Sequence, residues 1–85
     1  MITQQQAVRR DPAEAVKLAR RAVELTERRQ PTALFTLARA QAAAGRYDLA
    51  VAAAEEALEV ATKTGRNDLA DRIRRRLTEY RNKTG

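Results

Sequence analysis

The stretch AAAGRYDLAVAAAEEAL, residues 42–58, decides the fold that the sequence predicts. A helical run of alanines stops at Gly45, and glycine is the residue that most often closes a helix in the left-handed conformation. A second helical segment begins two residues later. Because the link is so short, the two helices must be antiparallel neighbours. Along the second segment alanine returns at a helical spacing, at Ala50, Ala54, Ala57 and Ala61.

Proline and glycine delimit the other helical segments in the same way. Asp11 and Asn67 are predicted N-caps, and Pro12 and Pro31 suit the first turn of a helix. Gly65 closes a segment as Gly45 does. No segment alternates with a period of two, so the sequence predicts an all-α protein. Helices are expected over residues 12–29, 31–44, 47–64 and 68–83, with residues 2–9 as one further short helical piece.

The predicted core is built from small residues. Helices that cross at about 8–10 Å need small side chains at the contact and larger ones between the contacts. We therefore interpret the alanines as close-contact positions, with Leu34, Leu37, Leu49 and Leu58 supplying bulk. The predicted inward stripes are Ala15, Val16, Ala19, Ala22, Val23 and Leu25; Leu34, Leu37, Ala38 and Gln41; Ala50, Ala54, Ala57, Leu58 and Ala61; and Leu69, Ala70, Ile73, Leu77 and Tyr80.

Composition argues against catalysis. The 85 residues include no cysteine, histidine or serine. The common metal ligands, the usual general base at neutral pH and two nucleophiles are therefore missing. Carboxylate pairs such as Glu55 with Glu56 or Glu59 remain, but they are expected on an exposed helix face without a cleft. We predict no enzyme activity, no metal and no cofactor.

Nothing in the sequence predicts insertion into a membrane. No apolar run approaches the roughly 20 residues that a spanning helix needs. The first ten residues, MITQQQAVRR, lack the apolar core of a signal peptide. We expect a soluble, cytoplasmic protein.

The chain also matches itself. At a shift of 35 residues, the small and large residues of the first segment fall on those of the third. Such a match predicts a tandem array of helix pairs. The aligned residues are Ala15, Ala19, Ala22 and Val23 with Ala50, Ala54, Ala57 and Leu58.

Residues 31–64 resemble the tetratricopeptide repeat (TPR), a helix pair of about 34 residues. The positions that carry the resemblance are Leu34, Leu37, Ala38, Gly45, Tyr47, Ala50 and the pair Ala57-Leu58. The departures are Leu34 in place of tryptophan, Gln41 and Ala54 in place of aromatic residues, and Thr62 in place of the closing proline. Tyr47 is expected to be a packing wedge at the turn.

The resemblance implies a short right-handed superhelix, an α-solenoid, as a single domain. Residues 1–30 would be an incomplete first repeat, 31–64 a full repeat and 65–85 a C-terminal capping helix. The chain would be a short bacterial-type array or a fragment of a larger TPR protein. Its simple alanine- and arginine-rich composition fits a high-GC bacterial gene or a designed sequence.

The resemblance further implies that a peptide or protein binds on the concave surface formed by the first helix of each pair. Phe35 lies off the core stripe, which leaves two interpretations: an exposed anchor for the partner, or a side chain packed on a neighbouring helix. By position, the candidate partner-binding residues are Thr32, Phe35, Arg39, Ala42, Asp71 and Arg75. Ala43, Asp68 and Thr78 are expected on the same surface.

The arginines leave alternatives open. Arg39 and Arg75 are on the concave side and suit a carboxylate or phosphate, but Arg75 is also expected to pair with Asp71 one turn earlier. The run RIRRRL, residues 72–77, is interpreted as the polar face of a terminal cap, with a phosphate-binding patch as the alternative.

Three functions follow in order of preference. The first is a protein–protein interaction module. The second is a structural end cap or self-association module, because about two and a half repeats leave the N-terminal helix face exposed and favour a homo-oligomer. The third is a basic nucleic-acid-binding helical domain, which the net charge of +6 would allow.

Overall fold

The computed structural model describes residues 12–84, which form four α-helices and no strand. The all-α prediction is confirmed for this part of the chain. Asp11 and the short helix predicted at residues 2–9 lie outside the described residues. The helices are α1 (Pro12–Leu25), α2 (Pro31–Ala43), α3 (Tyr47–Lys63) and α4 (Asn67–Thr84). Except at the end of α1, the predicted bounds agree with these within one residue.

Each helix packs against the next one along the chain. α2 lies against both α1 and α3, and α3 also lies against α4. Tyr47 begins α3 and Tyr80 lies near the end of α4, yet their ring centroids are 6.3 Å apart, so α3 and α4 run antiparallel. The ammonium group of Lys83 lies 5.8 Å from the centre of the Tyr47 ring. Tyr47 is therefore half-buried at the junction, as predicted for a packing residue.

The alanines of α3 form the centre of the core. Ala50, Ala54, Ala57 and Ala61 are each 0% exposed. Larger side chains enclose them from the neighbouring helices, and the largest fully buried ones are Leu34, Ile73 and Val23. Leu49, predicted to add bulk to the core, is 41% exposed, so that prediction is wrong.

One polar side chain lies within this core. Gln41 is buried, and among the described residues its Oε1 atom has no hydrogen-bond partner. A buried carbonyl oxygen left without a donor lowers the stability of a fold by about 1–3 kcal/mol. The inward position of Gln41 was predicted. The loss of stability follows because the buried amide oxygen has no donor there.

Three helices end in the same hydrogen-bonded turn. At the end of α2, Gly45 donates its N–H to Ala42 O (2.9 Å) and Arg46 donates to Gln41 O (2.9 Å), with Gly45 at φ 80°. Gly65 closes α3 in the same geometry at φ 74°. This pair of bonds is the Schellman motif, in which the residue after the helix is left-handed.

The same turn ends α1, but without glycine. Glu27 donates its N–H to Glu24 O (3.0 Å) and Arg28 donates to Val23 O (2.9 Å). Glu27 and Arg28 both have positive φ, at 55° and 58°. The prediction that α1 continues to Arg29 is therefore wrong: the helix ends at Leu25, because the backbone turns left-handed although no glycine marks the position.

We expect Glu27→Gly to raise the free energy of unfolding by about 0.5–1 kcal/mol, because glycine adopts a positive φ without strain. The ion pair lost, Glu27 with Arg29 at 3.5 Å, is exposed and contributes little. Urea denaturation followed by circular dichroism would measure the change. Gly65→Ala is the reciprocal control and should lower stability by about 1 kcal/mol. A lower midpoint for Glu27→Gly would contradict the expectation.

The inner face of α1 is narrower than predicted. Val16, Ala19 and Val23 are buried against α2 as expected, and Ala15 is half-buried. Ala22 and Leu25, predicted to face inward, are exposed. Their positions lie on the side of α1 away from these buried residues, and no described helix covers that side.

Candidate functional site

A groove lies between α2 and α4. α2 contributes Phe35 and Arg39 to its lining, and α4 contributes arginines one turn apart. Its volume is about 430 Å³. Both helices pack against α3, and residues of both line the groove. The residues that line the groove are Phe35, Arg39, Arg72, Arg75, Arg76 and Glu79.

Phe35 forms the floor of the groove and not an exposed anchor. Its side chain is only 8% exposed, which excludes the first of the two interpretations and leaves the packed one. The carbon of the Arg39 guanidinium lies 6.0 Å from the centre of the ring, a cation–π distance. The ring therefore supports Arg39 from below, while the guanidinium remains at the surface.

Positive charge dominates this groove. Four arginines and one glutamate line it, which leaves three net positive charges. Arg76 lies 3.9 Å from Glu79, a long and exposed ion pair. Within residues 12–84, Arg39, Arg72 and Arg75 make no ion pair with a carboxylate. Three guanidinium groups are thus free to bind a ligand.

Asp71 does not pair with Arg75. Its Oδ1 atom accepts a hydrogen bond from Arg74 at 2.9 Å, on the exposed surface outside the groove. The predicted Asp71–Arg75 pair is therefore wrong by one residue. Arg74 projects to the same side as Asp71, whereas Arg75 lines the groove with Phe35. Asp71 is also removed from the groove itself, so it does not neutralise the arginines there.

A second groove adjoins the first. It has a volume of about 530 Å³ and lies where Thr32 of α2 meets the start of α4. Arg72 lines both grooves, so they form one continuous surface along α2 and α4. Ala42, a predicted member of the site, is half-buried against the core and lines neither groove. The second groove is lined by Thr32, Gly65, Arg66, Asn67, Asp68, Leu69 and Arg72.

The structure therefore brings together four of the six residues predicted from the sequence: Thr32, Phe35, Arg39 and Arg75. It adds Arg72, Arg76 and Glu79, which the prediction omitted. The helical spacing of residues 72, 75, 76 and 79 places four side chains on one face of a helix. In the sequence these arginines were assigned to a polar cap, because their position opposite Phe35 and Arg39 depends on the packing of α4.

Two adjacent carboxylates of α3 are paired with arginines from two other segments. Arg28, which follows α1, donates from Nε to Glu56 Oε2 at 2.6 Å and from Nη2 to Oε1. These hydrogen bonds lower the pKa of Glu56 and raise the pKa of Arg28. Arg81 of α4 binds the adjacent Glu55 at 2.6 Å, and Lys63 lies 3.4 Å from Glu59. The glutamates considered for acid–base work are thus engaged in ion pairs.

The described residues were also searched for a metal site and for a membrane-spanning helix. Residues 12–84 contain no cluster of acidic side chains suited to a metal ion. None of the four helices combines the length and the apolar character that crossing a membrane requires. Comparison with protein families, with curated protein sequences and with solved structures gave no match to this chain.

Proposed function

We propose that this chain is a protein–protein interaction module that binds an acidic segment of a partner protein along the grooves between α2 and α4. The observation that carries the proposal is the unneutralised charge: Arg39, Arg72 and Arg75 face one groove without a carboxylate partner among the described residues. Guanidinium groups bind carboxylates through two parallel hydrogen bonds, which gives both affinity and orientation.

The proposed architecture is a short TPR-type array. α2 and α3 would be the full repeat, α1 the second helix of an incomplete one, and α4 the cap of a right-handed superhelix. The burial of Ala50, Ala54 and Ala57 at close helix contacts and the Gly45 turn support this assignment. In such an array α2 and α4 are both first-type helices, so their grooves form the concave surface.

An acidic protein segment fits this surface better than a nucleic acid does. Single-stranded nucleic acids are held largely by bases stacking on exposed aromatic rings. Among the described residues, Phe35 and Tyr80 are buried and Tyr47 is half-buried between α3 and α4. The Arg39 guanidinium already lies over the Phe35 ring, at a cation–π distance of 6.0 Å, so that ring is not open to a base. The surface therefore offers charge without a stacking platform.

The test uses a fluorescein-labelled, glutamate-rich peptide and a lysine-rich peptide of the same length, followed by fluorescence anisotropy. We expect only the glutamate-rich peptide to bind. Arg39→Ala combined with Arg75→Ala should weaken binding about tenfold or more, because two charge-assisted contacts are lost. The matched control is Arg20→Ala combined with Arg46→Ala, which removes the same charge at exposed positions away from this groove. It should retain most of the affinity.

Two results would contradict the proposal. One is equal weakening by both double variants, which would mean that net charge and not the groove attracts the peptide. The other is tighter binding of a single-stranded oligonucleotide with a steep salt dependence, which would favour the nucleic-acid function.

A further inference from the structure

The unpaired arginines of the groove between α2 and α4 lie on both of its walls. Arg39 belongs to α2, whereas Arg72 and Arg75 belong to α4. Residues 72 and 75 are three apart on a helix, so their side chains start only about 5–6 Å from each other. Within residues 12–84 none of the three pairs with a carboxylate. An anion in the groove would therefore meet guanidinium groups from two helices.

The shape of an anion decides how many of these groups it can engage. A carboxylate is planar, and its two oxygens match the fork of a single guanidinium. A phosphate monoester is tetrahedral, presents three acceptor oxygens in different directions and carries a charge of about −1.5 to −2 at pH 7. Arginines on two walls can then each bind a different oxygen. The arrangement thus suits a phosphate monoester better than a carboxylate.

Carboxylates at the two ends of the surface leave the positive charge concentrated at its centre. Glu79 lines the first groove, and Asp68 lines the adjoining groove at the start of α4. These two residues are about 16 Å apart along the helix axis, a length that an extended segment covers with about five residues. A partner with acidic side chains along that whole length would bring some of them close to Glu79 or Asp68, where like charges repel. One group with two negative charges avoids this repulsion.

We propose that the groove binds a phosphorylated side chain of the partner segment, with Arg39 and Arg75 holding the phosphate from the two walls and Arg72 adding a third positive charge. The inference rests on the proposed function, because it names the acidic group within the segment that α2 and α4 bind. A groove of about 430 Å³ suits one side chain with its phosphate. The phosphate is already attached to the partner, so no covalent step takes place on this chain.

A phosphorylated protein segment differs from a nucleic acid in the charge of each phosphate. The phosphates of a nucleic acid are diesters with one negative charge each. A phosphorylated side chain is a monoester that carries close to two charges at neutral pH. Phe35, the aromatic residue of this groove, is buried and lies beneath Arg39, so a base would find no open ring there.

Three fluorescein-labelled peptides of equal length test the proposal by fluorescence anisotropy. They share one neutral sequence and carry phosphoserine, glutamate or serine at the central position. We expect the phosphoserine peptide to bind at least about tenfold more tightly than the glutamate peptide, and the serine peptide to bind most weakly, because only the phosphate engages both walls. Equal affinities of the phosphoserine and glutamate peptides would overturn the inference.

Two double variants test whether the groove is responsible for the preference. Arg39→Gln combined with Arg75→Gln should reduce the preference for phosphoserine over glutamate to about threefold or less, because both walls lose a guanidinium. The matched control, Arg20→Gln combined with Arg46→Gln, removes the same charge at exposed positions outside the groove and should keep the preference. Circular dichroism verifies that both variants keep their helices. A preference that survives in the first variant would overturn the inference.

A change from pH 7.5 to pH 5.5 tests the role of the second negative charge. The second pKa of a phosphorylated side chain is about 6, so about a quarter of the phosphoserine is doubly charged at pH 5.5, against nearly all of it at pH 7.5. The chain contains no histidine. The charged groups that line the groove are Arg39, Arg72, Arg75, Arg76 and Glu79.

Affinity for the phosphoserine peptide should therefore fall about fourfold at the lower pH, in proportion to the doubly charged form. Affinity for the glutamate-rich peptide should change little, and this peptide is the control for any titration of the protein itself. A phosphoserine affinity that stays the same at both pH values would overturn the inference.

The outcomes separate this inference from the proposed function. Binding of the glutamate-rich peptide without any preference for phosphoserine overturns the inference and leaves the proposed function intact. A lack of binding by either peptide overturns both. Inorganic phosphate should displace the labelled phosphoserine peptide far less well than the unlabelled peptide does at the same concentration. Equal displacement would overturn the inference, because the partner segment would then contribute nothing.

Discussion

Replacing Phe35 with alanine is expected to lower the free energy of unfolding by about 3–5 kcal/mol. The ring is 8% exposed at the junction of α2 and α4, so its removal leaves a cavity that the surrounding helices fill only in part. A domain of this size has a total stability of only about 5–10 kcal/mol, so the substitution would remove between about a third and all of it. Urea denaturation followed by circular dichroism would measure the loss.

Two variants separate the two roles of this ring. Phe35→Leu keeps most of the buried volume and should cost less, whereas Arg39→Ala removes only the cation–π contact and should cost about 0.5–1 kcal/mol. An unchanged unfolding midpoint for Phe35→Ala would contradict the buried position of the ring. Phe35→Ala is for the same reason unsuitable as a binding variant, because its loss of folding would imitate a loss of affinity.

Enlarging Ala57 to leucine is expected to destabilise the protein by about 1–3 kcal/mol, although leucine is the more apolar residue. Ala57 is 0% exposed in the alanine face of α3, and the helices around it leave no space for three more carbon atoms. Thermal unfolding followed by circular dichroism would reveal the change as a lower midpoint.

Ala52→Leu is the matched control, because Ala52 lies on the same helix and is exposed. Its effect should stay within about 0.5 kcal/mol. The sign of the Ala57 result distinguishes two accounts of an alanine-rich core. Destabilisation means that alanine is needed for close helix contact, whereas stabilisation would mean that the core is merely underfilled and accepts more bulk.

The helices could be predicted because their ends are marked in the sequence. Pro31, Gly45 and Gly65 fix φ or favour a positive φ, and each coincides with a helix boundary in the structure. The end of α1 could not be predicted in this way. Glu27 has a positive φ like the two glycines. Glutamate does not favour a positive φ, so its residue type does not predict a helix end there.

The site was predicted only in part, because it depends on how two helices meet. The helical period places Arg39 and Arg75 outward, and both line the groove. The period does not say that α4 covers Phe35, or that Asp71 pairs with Arg74. A shift of one residue rotates a side chain by about 100° around the helix, so choosing Arg75 in place of Arg74 was enough to misassign the ion pair.

Glu55 and Glu56 are neighbours on α3, yet they form ion pairs with arginines from opposite sides of α3 in the sequence. Arg28 binds one of them from the segment after α1, and Arg81 binds the other from α4. α1 packs mainly against α2 and α4 mainly against α3, so these two ion pairs add support to the two outer helices of the described fold. Loss of order should therefore begin at both ends and move inward, with α3 the last helix to open.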